Sequence, residues 1–353
     1  MILSTRSPEW SIELLRGIAA FMVLATHYHE LAGWHIPALK FLHVGVDLFF
    51  VISGYVFAPY LFGKPLRLRP FFVRRWFRVY PLYLAAVFVY ACLRPWEPLM
   101  GSNILKHLLF LHTFESREVA FSLNSAFWSL PPEVEFYLFL PVLAPLVASS
   151  LHRLLMVLAI AVALRLFIFI PDRSFDGAWM LAGMRYHVPG LISEFVLGGW
   201  AWWWSVARPS AARRVAVFSA GLLLLGILGY CFALHHGDVQ VAGNHQVPAW
   251  LGNYLGLMSA GAFALIVAGV GHLSDLSISS LKWVALGVGE LSYGVYLFHN
   301  AAPLLMEQAG WAPGNVEFVT LCLLLTLVAS ILFHVGLESP LRRFGRDIAW
   351  RWA

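Results

Sequence analysis

Long apolar runs dominate the chain, joined by short segments rich in Arg, Pro and His. A helical membrane span needs about 20 mostly apolar residues. Ten stretches fit that description: 11–29, 44–63, 79–94, 128–149, 153–170, 187–205, 213–234, 249–271, 284–306 and 316–337. The third is short. The apolar segment 103–114 is too short to cross and reads as a re-entrant or interfacial piece. No Gly/Ser-rich or Pro-rich linker and no internal repeat interrupts the series. The pattern predicts an all-α, polytopic integral membrane bundle of about ten transmembrane helices, with residues 1–353 as a single membrane domain.

Composition agrees. Of 353 residues, 60% are hydrophobic and 12% are charged, and the mean hydropathy is +0.73. Soluble domains carry about 25% charged residues. A soluble enzyme, a disordered chain and a nucleic-acid-binding domain all fit poorly. The net charge of +5 therefore poses a question of position. With the N-terminus inside, most of the 24 Lys and Arg residues fall in inner segments. That places both termini in the cytoplasm. Cys92, Cys231 and Cys322 lie far apart and suggest neither a disulfide framework nor a zinc site. The N-terminal segment is a poor signal peptide, with Glu9 and Glu13 in its early region, so the first apolar run reads as a retained span.

Charge inside a span is costly, which makes such residues functional candidates. Arg16 and His27 lie eleven residues apart on the first span. They share nearly one helix face, separated by about 16 Å along the axis. Asp47 opens the second span and shares a face with Gly54, beside Ser53. The following segment, KPLRLRPFFVRRWFRVYPLY, interleaves cations with aromatics. It serves either as a positive-inside determinant or anionic-lipid patch, or as a phosphate clamp, since Arg forks match phosphate oxygens. Arg75 and Arg78 would point the same way on a helix. Glu133 and Tyr137 share a face of the fourth span, whereas Glu135 points elsewhere. Ser292, Tyr296 and His299 form one polar stripe on the ninth span, open to interhelical hydrogen bonding or to substrate. Glu338 reads as an interfacial carboxylate among arginines. No HExxH, CxxC, GxSxG or Walker pattern occurs, and no metal is expected.

Taken in order, LRGIAAFMVLATH, GVDLFFVISGY, RRWFRVYPLY, WSLPPEVEFY, SYGVYLFH and the terminal ESP resemble the motifs of the membrane acyltransferase type 3 family, from Leu15 to Pro340. The resemblance implies an integral membrane enzyme, of a bacterial inner membrane, that O-acylates a hydroxylated acceptor. The acceptor would be a carbohydrate, a glycolipid or a small product. The donor would be cytoplasmic acyl-CoA, with acetyl-CoA as the family's usual choice. By the same resemblance His27 is the expected catalytic residue. Arg75 and Arg78 would contact the CoA phosphates and Glu133 is the motif carboxylate. Many relatives carry two adjacent acids where this chain has Glu133-Val134-Glu135. Some relatives append a secreted hydrolase-like domain, and the short tail after the tenth span suggests the membrane core alone.

An imidazole is suited to take a proton from a sugar hydroxyl. His27 is then a general base or a transient acyl carrier, oriented by Glu133 or Asp47. Arg74, Arg75 and Arg78 hold phosphates while Arg16 guides the donor inward. Ser53, Tyr137, Ser292, Tyr296 and His299 are candidate substrate or oxyanion contacts. The partners are acceptor, donor and membrane lipids, without nucleic acid; the oligomeric state is not legible. A transporter or flippase, with His27, Asp47 and Glu133 as a proton relay, is the alternative. It lacks the repeat many transporters show and does not call for the basic aromatic segment.

Overall fold

The computed structural model describes residues 9–169, 183–242, 249–271 and 279–352. Among these residues the ordered backbone is helical, without strands. Helix α1 covers Trp10–Leu31, α2 Pro37–Phe41, α3 Gly45–Leu61 and α4 Leu68–Leu93. Two short helices follow, α5 (Met100–Leu108) and α6 (Arg117–Ala120), and then α7 (Leu130–Val147) and α8 (Leu151–Ile168). Beyond them lie α9 (Val188–Val206), α10 (Ala211–Ala242), α11 (Ala249–Val270), α12 (Ser279–Phe298) and α13 (Ala301–Gln308). The chain ends in α14 (Val316–Phe333), a π-helical turn (His334–Glu338) and α15 (Ser339–Trp350).

Local chemistry sets several of these ends. Pro131 and Pro132 occupy the first turn of α7, where a missing N–H costs least. The Ser150 side chain caps α8 by accepting from the Arg153 amide, and Asn315 caps α14 by accepting from the Phe318 amide at 2.7 Å.

Among the described residues six helical stretches are long and apolar enough to cross a membrane: Pro37–Leu61, Leu68–Leu93, Ser125–Val147, Leu151–Ile168, Ala211–His235 and Val316–Trp350. The four other expected spans are also helical, as α1, α9, α11 and α12 with α13. In α1, Arg16, His27, His29 and Glu30 lower the hydropathy. In α12, Lys282 and Glu290 do so.

Two boundaries differ from expectation. The third span was expected over 79–94, after a basic loop. Instead α4 starts at Leu68 and takes Arg74, Arg75 and Arg78 into its first three turns. Nothing from Phe71 to Tyr80 breaks a helix, and Pro70 falls in the first turn, where it is tolerated. The ninth span is interrupted at His299 and Asn300, between α12 and α13.

The chain forms two compact units. The first comprises Met1–Ala25, Pro37–Pro59 and Glu194–Tyr293, and the second Thr26–Ile36, Tyr60–Ser193 and Gly294–Ala353. The first unit is built around Leu15, Ala19, Leu48, Val51, Phe263 and Val267, all buried. In it α10 and α11 lie along each other, and α3 meets α9 backbone to backbone. A methyl group on Gly54 would overlap the Phe195 carbonyl, and one on Gly198 would overlap the Val51 carbonyl. Small residues permit such close approach between membrane helices.

Overpacking costs about 1–3 kcal/mol. Gly54→Ala and Gly198→Ala are therefore each expected to lower the melting temperature of the detergent-extracted protein. Gly226→Ala, where an added Cβ meets nothing within 4 Å, should leave it unchanged. Equal melting temperatures for all three would contradict the contact.

In the second unit Tyr83, Tyr90, Phe127, Phe136, Phe298 and Phe318 are fully buried. α4 packs on α15, where Gly345 sits against the Phe77 ring.

Candidate active site

The second unit gathers most of the polar candidates. Arg74, Arg75 and Arg78 are half-buried on one stretch of α4. Arg78 Nη1 reaches Glu338 Oε1 at 3.3 Å. Glu338 also accepts from Arg342 at 3.3 Å and from His334 Nδ1 at 2.9 Å. It is only 1% exposed. The carboxylate expected among arginines is thus buried within the protein, on the π-helical turn that packs against α4. Such single-turn bulges recur at functional sites.

Arg75 and Arg78 also lie within electrostatic range of the Tyr137 hydroxyl. That hydroxyl donates to the Glu133 carboxylate, as the i, i+4 spacing on α7 predicts. An apolar cavity of about 390 Å³ opens beside this group, lined by Arg75, Trp76, Tyr80, Phe110 and Tyr137 among others. Glu133 is in turn within electrostatic range of Tyr296. Tyr296 shares a 2.6 Å hydrogen bond with Ser129 and donates to the Ala126 carbonyl at 2.8 Å.

The break after α12 places His299 next to His27. Their ring centres are 5.0 Å apart, tilted by 40°. A broken helix inside an apolar bundle must satisfy the carbonyls it frees. Here Tyr28 donates to the His299 carbonyl at 2.7 Å, and Tyr90 and Asn124 donate to that of Leu297 at 3.0 and 3.2 Å. Asn300 donates to Asn124 Oδ1 at 2.8 Å. The Tyr28 hydroxyl also meets Thr326 at 2.8 Å. His299 is fully buried, whereas His27 keeps partial exposure. Polar side chains are thus strung out between Arg78 and His27. Tyr137 is hydrogen-bonded to Glu133. The rings of Tyr296 and His299 lie 6.1 Å apart and those of His299 and His27 5.0 Å apart. Arg78 with Tyr137 and Glu133 with Tyr296 are within electrostatic range.

Other sequence candidates belong to the first unit. Arg16 pairs with Glu13 at 2.6 Å, one turn away on α1. Asp47 and Ser53 are buried on α3. Ser292 is buried and donates to the Gly289 carbonyl of its own helix at 2.7 Å. The predicted stripe of Ser292, Tyr296 and His299 is thus divided, since α12 runs from one unit into the other.

Sequence reasoning passed over a second imidazole–carboxylate pair. Glu135 accepts from His187 Nδ1 at 2.5 Å and from the Val188 amide at 2.9 Å. His187 stacks on Phe114, and His107 stacks on His112 with ring centres 4.1 Å apart. Burial pushes His107 down to about 4 and His112 down to about 3. Both rings are therefore neutral near pH 7. No spacing in the sequence connects 107, 112, 135 and 187; only packing does. Among the described residues no group of three or more His, Cys, Asp or Glu is arranged to hold a metal ion.

Apolar helices of membrane length enclosing arginines, carboxylates and imidazoles define a polytopic membrane protein with an ionisable interior. A family model described as an acyltransferase domain matches residues 9–335. The chain belongs to this family, the type 3 membrane acyltransferases.

It is 26% identical to BcsY of Komagataeibacter xylinus, provisionally named a membrane-bound transacylase, over 93% of this chain and 81% of BcsY. It is 28% identical to the exopolysaccharide production protein ExoZ of Rhizobium meliloti, over 86% of this chain and 90% of ExoZ. With the peptidoglycan O-acetyltransferase OatA of Listeria monocytogenes the identity is 25%, over 95% of this chain but 56% of OatA. The chain thus spans little more than half the length of that relative. No solved structure matches the chain.

Proposed function

We propose that this chain is an acyl-CoA-dependent O-acyltransferase. It moves an acyl group, acetyl by family analogy, from cytoplasmic acyl-CoA to a hydroxyl of a carbohydrate or glycolipid at the membrane. The observation that supports this reading is the polar string of the second unit, with arginines at one end and an imidazole at the other. The names of OatA and ExoZ favour a polysaccharide or its precursor as acceptor. In this reading the protein sits in a bacterial inner membrane with both termini in the cytoplasm.

Arg74, Arg75 and Arg78 hold the CoA phosphates, since guanidinium forks bind phosphate oxygens bidentately. Glu338 aims Arg78. Arg16 steers the donor, and Asp47 and Glu133 supply negative charge that favours an imidazolium. His27 takes the proton of the acceptor hydroxyl as its oxygen attacks the thioester carbonyl. An O–C bond forms, the C–S bond breaks, and the departing thiolate takes the proton back from His27. Ser53, Tyr137, Ser292 and Tyr296 are candidate contacts for substrate or for the carbonyl oxygen.

Titration of acetyl-CoA with the purified protein tests the donor assignment. The double variant Arg75→Ala/Arg78→Ala is expected to bind at least about tenfold more weakly, since hydrogen bonds to charged groups contribute about 1.5–3 kcal/mol. Affinity equal to wild type would remove the clamp. Absence of binding by wild type would remove CoA as the donor.

A further inference from the structure

His299 carries information beyond its closeness to His27. Its Nδ1 lies 2.8 Å from the Tyr296 carbonyl oxygen. A carbonyl only accepts, so Nδ1 bears the hydrogen. In the neutral ring Nε2 is then a lone pair. Nε2 is buried and meets no hydrogen-bonding protein group among the described residues. Protonating it would bury an N–H that has no acceptor, which is costly. His299 is thus fixed as an acceptor, and it has no hydrogen left to give a developing oxyanion.

We propose that His299 is the positioning residue of His27, resting on the reading of His27 as the base. The ring centres are 5.0 Å apart, close enough for an N–H of the partly exposed His27 to reach His299 Nε2 when the ring turns toward it. When His27 holds the substrate proton on one nitrogen, its other N–H donates to that lone pair. His299 takes no proton. It orients the imidazole and stabilises its cation, as a carboxylate does in a Ser-His-Asp site. An imidazole fits this place better than a carboxylate would. Burying a neutral acceptor in an apolar helical bundle costs far less than burying an anion.

The helix break is what makes this possible. His299 leaves the regular backbone one residue after α12 ends, and the Tyr28 hydroxyl holds its carbonyl. Its main chain is therefore anchored from α1, the helix that carries His27. Base and positioning residue are fixed to the same support.

Acyl transfer from acetyl-CoA is measured for His299→Leu, His299→Gln and His27→Gln, each first checked for wild-type extraction yield and melting temperature. His299→Leu removes the acceptor. Its kcat is expected to fall at least about tenfold with an unchanged KM for acetyl-CoA, as losing an orienting partner slows the step rather than binding. His299→Gln offers an amide oxygen in place of Nε2 and should retain the larger share of kcat.

A His299→Ala variant provides a second arm, using added imidazole and 1-methylimidazole. Both present a lone pair, but only imidazole has an N–H. Rescue by both supports the acceptor role. Rescue by imidazole alone would overturn it, as would equal kcat losses in His299→Leu and His299→Gln, or a loss confined to KM. Wild-type turnover by His27→Gln would instead remove the reading of His27. An inactive His27→Gln beside a fully active His299→Leu would remove only the positioning role. If His299→Leu fails to fold, the comparison of His299→Gln with wild type decides: a kcat below one tenth of wild type counts against the proposal.

Discussion

Replacing His27 by glutamine is expected to abolish most acyl transfer while leaving acetyl-CoA binding intact. General base catalysis contributes about 10²–10⁴-fold, and glutamine keeps the side chain polar without a basic nitrogen. The geometry makes the loss specific. His27 retains partial exposure, so a substrate hydroxyl can reach it, whereas His299 is sealed within the bundle. The neighbouring Tyr28 supports the helix break through its hydroxyl and is untouched by the change, so the fold around the site should persist. The measurement is labelled acetyl transfer to membrane-associated carbohydrate, read by mass spectrometry, with binding of acetyl-CoA followed in parallel. Transfer at the wild-type rate would end the catalytic assignment. Lost binding together with lost transfer would show damage at the donor site instead.

The second large effect is expected at Glu338. Its carboxylate is 1% exposed and takes bonds from Arg78, Arg342 and His334. Removing one partner from a buried charge pair costs about 3–5 kcal/mol, because the remaining charge loses its counter-ion. Glu338→Leu takes the counter-charge from two guanidiniums at once. A clear drop in melting temperature is expected, together with weaker acetyl-CoA binding as Arg78 loses its orientation. Glu338→Gln preserves shape and one acceptor oxygen, so it should lie between. A Glu338→Leu protein as stable as wild type would mean that the arginines are solvated well enough not to need the carboxylate.

These two residues show how differently the sequence exposes its chemistry. His27 was legible. It is a titratable group near the C-terminal end of an apolar run, on nearly the same helix face as Arg16, and it sits in a motif. Glu338 was legible only as a residue of the terminal ESP. Its surroundings suggested a surface role, because three of the nearest residues in sequence are arginines and a proline. It is buried on a π-helical turn, and nothing in local composition announces one. Glu135 was set aside because it points away from Glu133 on a helix. That direction was right, yet what it points at is His187, fifty-two residues on.

The stretch before Tyr80 teaches a related lesson. Hydropathy ends a span where charge begins, so Arg74, Arg75 and Arg78 read as a loop. A helix ends only where its backbone is broken or capped, and Leu68–Leu93 has no interior breaker before Pro81. At about 39 Å for 26 residues, α4 exceeds the hydrocarbon thickness of about 30 Å. Its basic turns are thus helix beyond what a span of hydrocarbon requires. In α12 the opposite happened. An apolar run that reads as one span breaks at His299, because Tyr28, Tyr90 and Asn124 are placed to satisfy the freed carbonyls.

The sequence by itself determined the helical membrane class, the family and the candidate imidazole, arginines and carboxylates. These follow from local sums: the length of apolar runs, the sign of charge at their ends, and residues held at short spacing in one motif. Only the tertiary structure decided which candidates meet. Tyr28 finds Thr326 across 298 positions, Arg78 finds Glu338 across 260, and His27 finds His299. A buried polar group must have a partner, but which one depends on the packing of helices distant in the chain. That packing is a property of the whole fold, and no window of sequence contains it.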